Sequence, residues 1–209
     1  MADRGQVKLV YHAEKTVNSV SGLDQAFGMN FVYQPGNFSP LNDATNSALG
    51  QKSWAQWYQY CYVGGSKIQV KVTNNTLRNS VLANQEPIWF TVIPWGQVSL
   101  AADNTDHQPY RSTPYNKHKL LPLNCSTPQT INHYMSVKKF EGRSRPMDEE
   151  LYSSYVSVST NGYDFTAPNK LYWHLYLGNG EGLSGNIDVT YEVKITYYCT
   201  LYKRWQLTT

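Results

Sequence analysis

Charged residues are scarce in this chain of 209 residues, and cysteine is scarcer still. Lysine, arginine, aspartate and glutamate make up only 16% of the sequence, and the net charge of +3 permits a nucleic-acid partner without demanding one. The three cysteines lie far apart with no Cys-x-x-Cys spacing, so neither a disulfide framework nor a zinc site is indicated. No apolar run approaches the roughly 20 residues of a membrane-spanning helix, and no signal-peptide core follows Met1.

Aromatic residues, in contrast, are abundant. They make up 14% of the chain, with 17 tyrosines and 6 tryptophans, so serine, threonine, asparagine, glutamine and tyrosine must cover most of the surface. A surface with so little charge does not keep a protein monomeric and suits contact with other protein or with sugar. The length fits a single domain over residues 1–209, since all-β sandwiches commonly reach this size.

Alternation of apolar and polar residues predicts eight strands and scarcely any helix. The clearest strand is the last one, in which every second residue from Ile187 to Tyr197 is apolar or aromatic. The predicted strands are Gln6–Lys15, Ala26–Tyr33, Gln59–Thr73, Pro87–Ile93, Thr130–Lys139, Leu151–Ser159, Leu171–Leu177 and Asn186–Tyr202. Eight strands separated by long, unequal loops favour a two-sheet jelly roll over a tight barrel.

One short helix is expected just before the third strand. Trp54, Trp57 and Tyr58 have the i, i+3, i+4 spacing of one helix face, with Ser53 as the N-cap. Because aromatic side chains usually become buried, these three are expected in the core. Pro94 is expected to end the fourth strand, since proline cannot donate to a sheet ladder.

The stretch from Ser53 to Thr73 resembles the capsid proteins of circovirus-like CRESS-DNA viruses. It contains an aromatic turn ending in Tyr-x-Tyr, a link of small residues, then Ser-Lys-Ile and an alternating strand. The order of the strands is similar over most of the chain. The resemblance implies an all-β, eight-stranded antiparallel jelly roll, in which the eight predicted strands are lettered B to I in chain order and form sheets BIDG and CHEF. Strand F is then Thr130–Lys139 and strand G is Leu151–Ser159. It also implies a T=1 icosahedral shell around a circular single-stranded DNA genome, located in the virion and in the host cell nucleus.

The beginning of the chain departs from that family. Its members usually start with a long arginine-rich arm that binds the genome and serves as a nuclear signal. Here the first predicted strand follows almost directly after the run Met1-Ala2-Asp3-Arg4-Gly5. Either an arm is missing from this sequence or this member has none.

The sheet order implied by the resemblance brings lysines of different strands together. On the outward side of a B-I-D-G sheet it places Lys8, Lys67, Lys71 and Lys194, with Arg4 beside them and acidic Asp188 and Glu192 among them. We hypothesise that this face lines the interior of the particle and contacts nucleic-acid phosphates irrespective of sequence. The alternative is that these are ordinary solvated residues on an outward strand face.

Long loops are the expected subunit contacts and outer surface. They are Asn37–Gly50, Leu100–Gln129 and Lys138–Glu150, and we predict Trp95, Tyr110 and Tyr115 as aromatic anchors because aromatics are enriched in interface cores. The alternative function is a carbohydrate-binding β-sandwich, in which the tyrosine-rich surface stacks against sugar rings. Contact with a host receptor or a glycosaminoglycan is compatible with both.

No enzymatic site is indicated. The adjacent acids Asp148, Glu149 and Glu150 do not form the separated carboxylate pair that glycoside hydrolysis needs. A chance arrangement explains Asp103, Asp106 and His107 better than a metal site does. We therefore expect no catalytic residue, metal or cofactor.

Overall fold

The computed structural model describes residues 4–19, 25–33, 35, 48–75, 87–96, 111–122, 127–141, 153–159, 162–166, 171–179 and 187–204. Most of them lie in strands, and the helices are short. The strands are β1 (Arg4–Ser19), β2 (Gln25–Phe31), β3 (Tyr58–Asn74), β4 (Ile88–Trp95), β5 (Lys117–Leu121), β6 (Gln129–Ser136), β7 (Ser153–Ser159), β8 (Gly162–Thr166), β9 (Tyr172–Asn179) and β10 (Ile187–Arg204). The helices are α1 (Gln51–Ala55) and α2 (Val137–Glu141).

The strands form two antiparallel sheets. In one, β1 pairs with β10 and β10 with β3, and β6 pairs with the other edge of β3. In the other, the order is β2-β9-β4-β5. These are the BIDG and CHEF orders of a jelly roll, so the predicted fold is confirmed.

The assignment of strands F and G within that fold is wrong. The segment predicted as F is β6, which pairs with strand D (β3) and is therefore G. Strand F is β5, inside the region from Leu100 to Gln129 that the pattern predicts to be irregular. The segment predicted as G is β7, which forms a hairpin with β8 and pairs with the start of β3. Periodicity missed β5 because it is an edge strand with only Leu121 buried.

The two long central strands build the core. In β3, Ile68, Val70 and Val72 are fully buried, whereas the polar residues between them point outward, as the alternation predicts. Each such side chain contributes roughly 1.5–3 kcal/mol through burial. The matching core residues of β10 are Ile187, Val189, Tyr191, Val193, Ile195, Tyr197, Cys199 and Leu201.

Pro94 does not end β4, contrary to the prediction. The strand continues to Trp95, with Pro94 opposite Trp173 and Trp95 opposite Tyr172 of β9. The neighbour on the other side, β5, pairs with β4 only as far as Val92. Among the described residues, the proline therefore lies where β4 has a partner on one side only, and an edge position of this kind tolerates proline.

The helix α1 begins three residues before the start that an N-cap at Ser53 predicts. Its N-cap is Gly50, whose φ of 81° lies in the left-handed region that glycine adopts without strain, and no side chain caps the helix. Ser53 lies inside the helix. The prediction of a serine cap is therefore wrong.

The tryptophans near α1 are not core residues. Trp54 is 38% exposed and Trp57 is 47% exposed, whereas Gln51 and Ala55 are buried. Only Tyr58 of the predicted aromatic stripe packs partly against the core. Helical spacing indicates which residues share a face but not which face meets the sheet, and here the small Ala55 faces inward.

Candidate nucleic-acid interface

The register of β1, β10 and β3 places all five predicted basic residues on the outer face of the BIDG sheet. Residues that are directly opposite in neighbouring strands project to the same side of a sheet. The opposed pairs are Arg4 with Tyr202, Lys8 with Tyr198, His12 with Lys194, Lys71 with Glu192 and Lys67 with Thr196. Lys8, Lys67, Lys71 and Lys194 are all exposed.

The half of this face around Glu192 has mixed charge. The Glu192 carboxylate lies 3.0 Å from Nε2 of His12 and 3.5 Å from Nζ of Lys71. The hydrogen bond with His12, together with the Lys71 charge, holds the pKa of Glu192 below its usual range. Glu14 lies directly opposite Glu192 and adds a second negative charge. The positive charge of Lys71 is thus largely balanced by its neighbours.

The other half of the face combines cations with tyrosines. We call it the tyrosine end, and its members are Arg4, Lys8, Lys203, Tyr60, Tyr62, Tyr198 and Tyr202. The rings of Tyr60 and Tyr202 are stacked, with centroids 5.2 Å apart and planes at 10°. The ammonium of Lys203 lies 4.8 Å from the Tyr60 ring centroid, and that of Lys8 lies 5.8 Å from the Tyr198 ring centroid.

Two shallow clefts open at the tyrosine end, along the seam between β1 and β10. One has a volume of ≈ 320 Å³ and is lined by Arg4, Tyr62 and Tyr202 among others. The other has ≈ 370 Å³ and is lined by Lys8 and Tyr198 among others. Gln6 and Thr200 line both clefts, so the two are adjacent.

Sequence reasoning missed Lys203, Arg204 and the exposed tryptophans. The φ of Lys203 is 52°, a local break in the regular strand geometry. The guanidinium of Arg204 lies 5.4 Å from the Trp57 ring centroid. The sequence does contain a signal for this cluster, because basic residues directly follow Tyr202.

Two of the three predicted interface anchors, Trp95 and Tyr115, lie elsewhere, at the β4–β5 end of the CHEF sheet. Trp95 is the last residue of β4, and Tyr115 comes two residues before β5. The Tyr115 side chain is 39% exposed, its hydroxyl donates to the Lys139 carbonyl at 3.4 Å, and the Lys139 ammonium lies 5.3 Å from its ring centroid. Tyr110 lies outside the described residues, as do most residues of the three predicted loops.

The described part of the chain contains no group of three or more histidine, cysteine or acidic residues that could hold a metal ion. Asp103, Asp106 and His107 lie outside it. None of the helices in that part is long and apolar enough to cross a membrane.

The order of the strands in the two sheets defines the class of architecture, which is a two-sheet antiparallel jelly roll. No family model and no curated protein matches the sequence. Among solved structures, the chain is similar to one from Cocksfoot mottle virus, with 10% identity, a TM-score of 0.50 and 97% of both chains covered. It is also similar to the decameric BFDV capsid protein (14% identity, TM-score 0.49, 96% of this chain and 99% of that one) and to its 60-mer form (11%, 0.47, 99% and 97%). At 10% identity, the likeness to Cocksfoot mottle virus shows the fold alone.

Proposed function

We propose that this chain is a single-domain viral capsid protein whose copies assemble into the closed icosahedral shell of a virion. The observation that carries the proposal is the complete BIDG and CHEF jelly roll, which matches a Cocksfoot mottle virus chain over 97% of both lengths. The more specific form, a T=1 shell around circular single-stranded DNA, rests on the resemblance to circovirus-like capsid proteins. Closed point-group symmetry sums many weak contacts between identical subunits.

In the proposed shell, the outer face of the BIDG sheet points toward the interior and contacts the genome. The cations in the proposed contact are Arg4, Lys8, Lys67, Lys71 and Lys194. Their shared face supports the proposal. Such contacts with phosphates depend on charge and not on base sequence.

The proposed subunit contacts lie at the other sheet. Trp95, Tyr110 and Tyr115 are the proposed anchors, because large aromatic side chains at the centre of an interface contribute much of its affinity. The exposure of Tyr115 supports this role.

Electron microscopy of the purified protein tests the shell. At neutral pH we expect uniform spherical particles in negative stain, and the ratio of absorbance at 260 and 280 nm of the same fraction measures the nucleic acid inside. A protein that stays a monomer or small oligomer across salt and protein concentrations contradicts the proposal.

Replacing Lys67, Lys71 and Lys194 together by Ser is expected to lower the nucleic acid carried by purified particles. In binding assays with single-stranded DNA, the slope of log K against log salt should become shallower by less than about 2, because each lost phosphate contact removes roughly 0.7 and Lys71 is already paired with Glu192. The matched control replaces three lysines outside this face, namely Lys52, Lys119 and Lys138. Equal nucleic-acid content in both variants and the parent protein contradicts the proposed contact.

A second candidate is a carbohydrate-binding module, favoured by the exposed tryptophans beside α1. Exposed aromatic rings are suited to stacking against sugar. This candidate predicts that no particles form and that Trp57→Ala abolishes binding to a glycan array. A host receptor or glycosaminoglycan is a further proposed partner under either function.

A further inference from the structure

We infer that single-stranded nucleic acid binds this face mainly at the tyrosine end, with bases stacked on Tyr198 and Tyr202 and phosphates beside Arg4 and Lys8. The inference rests on the proposed function, and it specifies which half of the face acts and which form of nucleic acid it takes. Four observations support it: charge, ring geometry, spacing and the shape of the clefts.

Charge distinguishes the two halves of the face. Among the described residues, neither cleft at the tyrosine end is lined by an aspartate or glutamate, whereas Arg4 lines one and Lys8 the other. At the opposite half, Glu192 lies beside Lys71 and opposite Glu14. A polyanion is therefore attracted more strongly to the tyrosine end.

The rings at the tyrosine end are placed for stacking. Tyr60 and Tyr202 form a nearly parallel pair, and Tyr198 is 38% exposed with Tyr134 edge-on at 6.0 Å. Each pair has an ammonium within 6 Å of one ring, from Lys203 and from Lys8. A base that stacks on Tyr198 displaces Lys8 from a contact of only about 0.5–1 kcal/mol and brings a phosphate to that lysine. Lys203, in contrast, lies over Tyr60, the stacking partner of Tyr202.

The spacing of the cations and rings suits an extended single strand of nucleic acid. Arg4 and Lys8 are four residues apart on β1, about 13 Å at the rise of a β-strand. Tyr198 and Tyr202 are likewise four residues apart on β10, opposite those two cations. Cations and rings thus repeat together along one seam. A few nucleotides span the distance between the two cation–ring pairs. Tracking the phosphate backbone while stacking successive bases is the general mode of single-strand binding.

Duplex nucleic acid cannot use this arrangement. Its base faces are stacked inside the helix, and exposing one costs unstacking and unpairing energy. The clefts are shallow and lie along a sheet seam, so a duplex gains only the phosphate contacts there. The tyrosine end should therefore discriminate between single and double strands, which the lysines alone do not.

The test measures binding by fluorescence anisotropy, using the full chain isolated as unassembled subunits by size exclusion. The three probes are labelled dT20, an abasic 20-mer with the same phosphates, and a 20-base-pair duplex. Parent protein is expected to bind dT20 more tightly than either of the other probes. Salt titration of each probe separates the phosphate contribution from the stacking contribution.

Tyr198→Leu/Tyr202→Leu removes the rings but keeps apolar bulk. We expect this variant to bind dT20 roughly 10- to 100-fold more weakly, with an unchanged salt slope and unchanged affinity for the abasic strand. Tyr198→Phe/Tyr202→Phe keeps the rings and should bind like the parent. Arg4→Ser/Lys8→Ser should instead make the salt slope about 1.4 shallower for all single strands.

Phe140→Leu on α2 is the control for loss of an exposed ring, and Lys119→Ser on β5 is the control for loss of a cation. Equal binding of dT20 by the parent and leucine variants overturns the inference while leaving the charged face intact. Equal weakening by the leucine and phenylalanine variants also overturns it. If parent protein binds none of the three probes, the nucleic-acid part of the proposed function fails as well.

Discussion

Replacing Trp173 by Ala is expected to lower the free energy of unfolding by about 3–5 kcal/mol. Trp173 is fully buried on β9 of the CHEF sheet. Its Nε1 donates to Oγ of the buried Ser66 on β3 at 3.0 Å, and its ring lies 5.0 Å from the His133 ring of β6. The residue thus connects both sheets. Its loss leaves a cavity and a buried hydroxyl without its partner.

Urea denaturation measures the free-energy change, and a thermal scan should show a lower midpoint by about 2–4 °C per kcal/mol in a chain of this length. Trp173→Phe removes the hydrogen bond to Ser66 but keeps an aromatic ring in the core. The free energy of unfolding should therefore fall less than in Trp173→Ala. Trp54→Ala at an exposed position is the control, with a change expected within about 0.5 kcal/mol. Equal destabilisation by Trp54→Ala and Trp173→Ala contradicts the structure described here.

Acidification from pH 6.5 to pH 4 is expected to destabilise the protein through His133, by on the order of 3 kcal/mol. Burial, together with the positive charges of Lys117 on β5 and Lys139 on α2, lowers the pKa of His133 from its usual value to about 4. The imidazole is only 2% exposed, and its Nδ1 has no hydrogen-bond partner among the described residues. A hydrogen bond to the Val92 backbone acts in the opposite direction without offsetting these effects.

The direction of this pH effect follows from the pH at which the folded chain and the unfolded chain each bind the proton of His133. Above pH 6.5, His133 is neutral in the folded and unfolded chains, so its protonation does not affect stability. Between pH 6.5 and 4, the unfolded chain binds a proton that the folded chain excludes, and stability falls as pH falls. Below pH 4 both states are protonated at this residue, and its contribution no longer changes.

His133→Gln removes the titration and should flatten this part of the stability profile, measured as urea midpoints between pH 7.5 and 4. His118→Gln, at an exposed histidine on β5, is the matched control and should keep most of the acid sensitivity of the parent. Parallel profiles for His133→Gln and the parent contradict the assignment to His133.

Several features of the fold could be predicted from local pattern. The alternation in β3 and β10 correctly identified their buried faces, because a half-buried strand requires a period of two. Strand order then led to the jelly roll. It did not reveal β5, whose single buried residue leaves no apolar face to detect. As a result the letters F and G were each placed one strand too late.

The candidate site shows the same division. Sequence and resemblance together placed Arg4, Lys8 and the lysines of β3 and β10 on one face, because register follows from strand pairing. They did not distinguish the half in which Glu192 neutralises Lys71 from the tyrosine end. That difference depends on which residues lie opposite one another in strands more than 100 residues apart in the sequence.

The sequence by itself determined that this chain is an all-β sandwich with a tyrosine-rich, charge-poor surface, since composition and periodicity act locally along the chain. Only the tertiary structure decided that β6 is strand G, that Pro94 lies within a strand and that Trp54 faces solvent. In each case the deciding quantity was the neighbour across a sheet or beneath a helix. A residue's own pattern does not specify that neighbour, because contact between distant segments is set by the packing of the whole core.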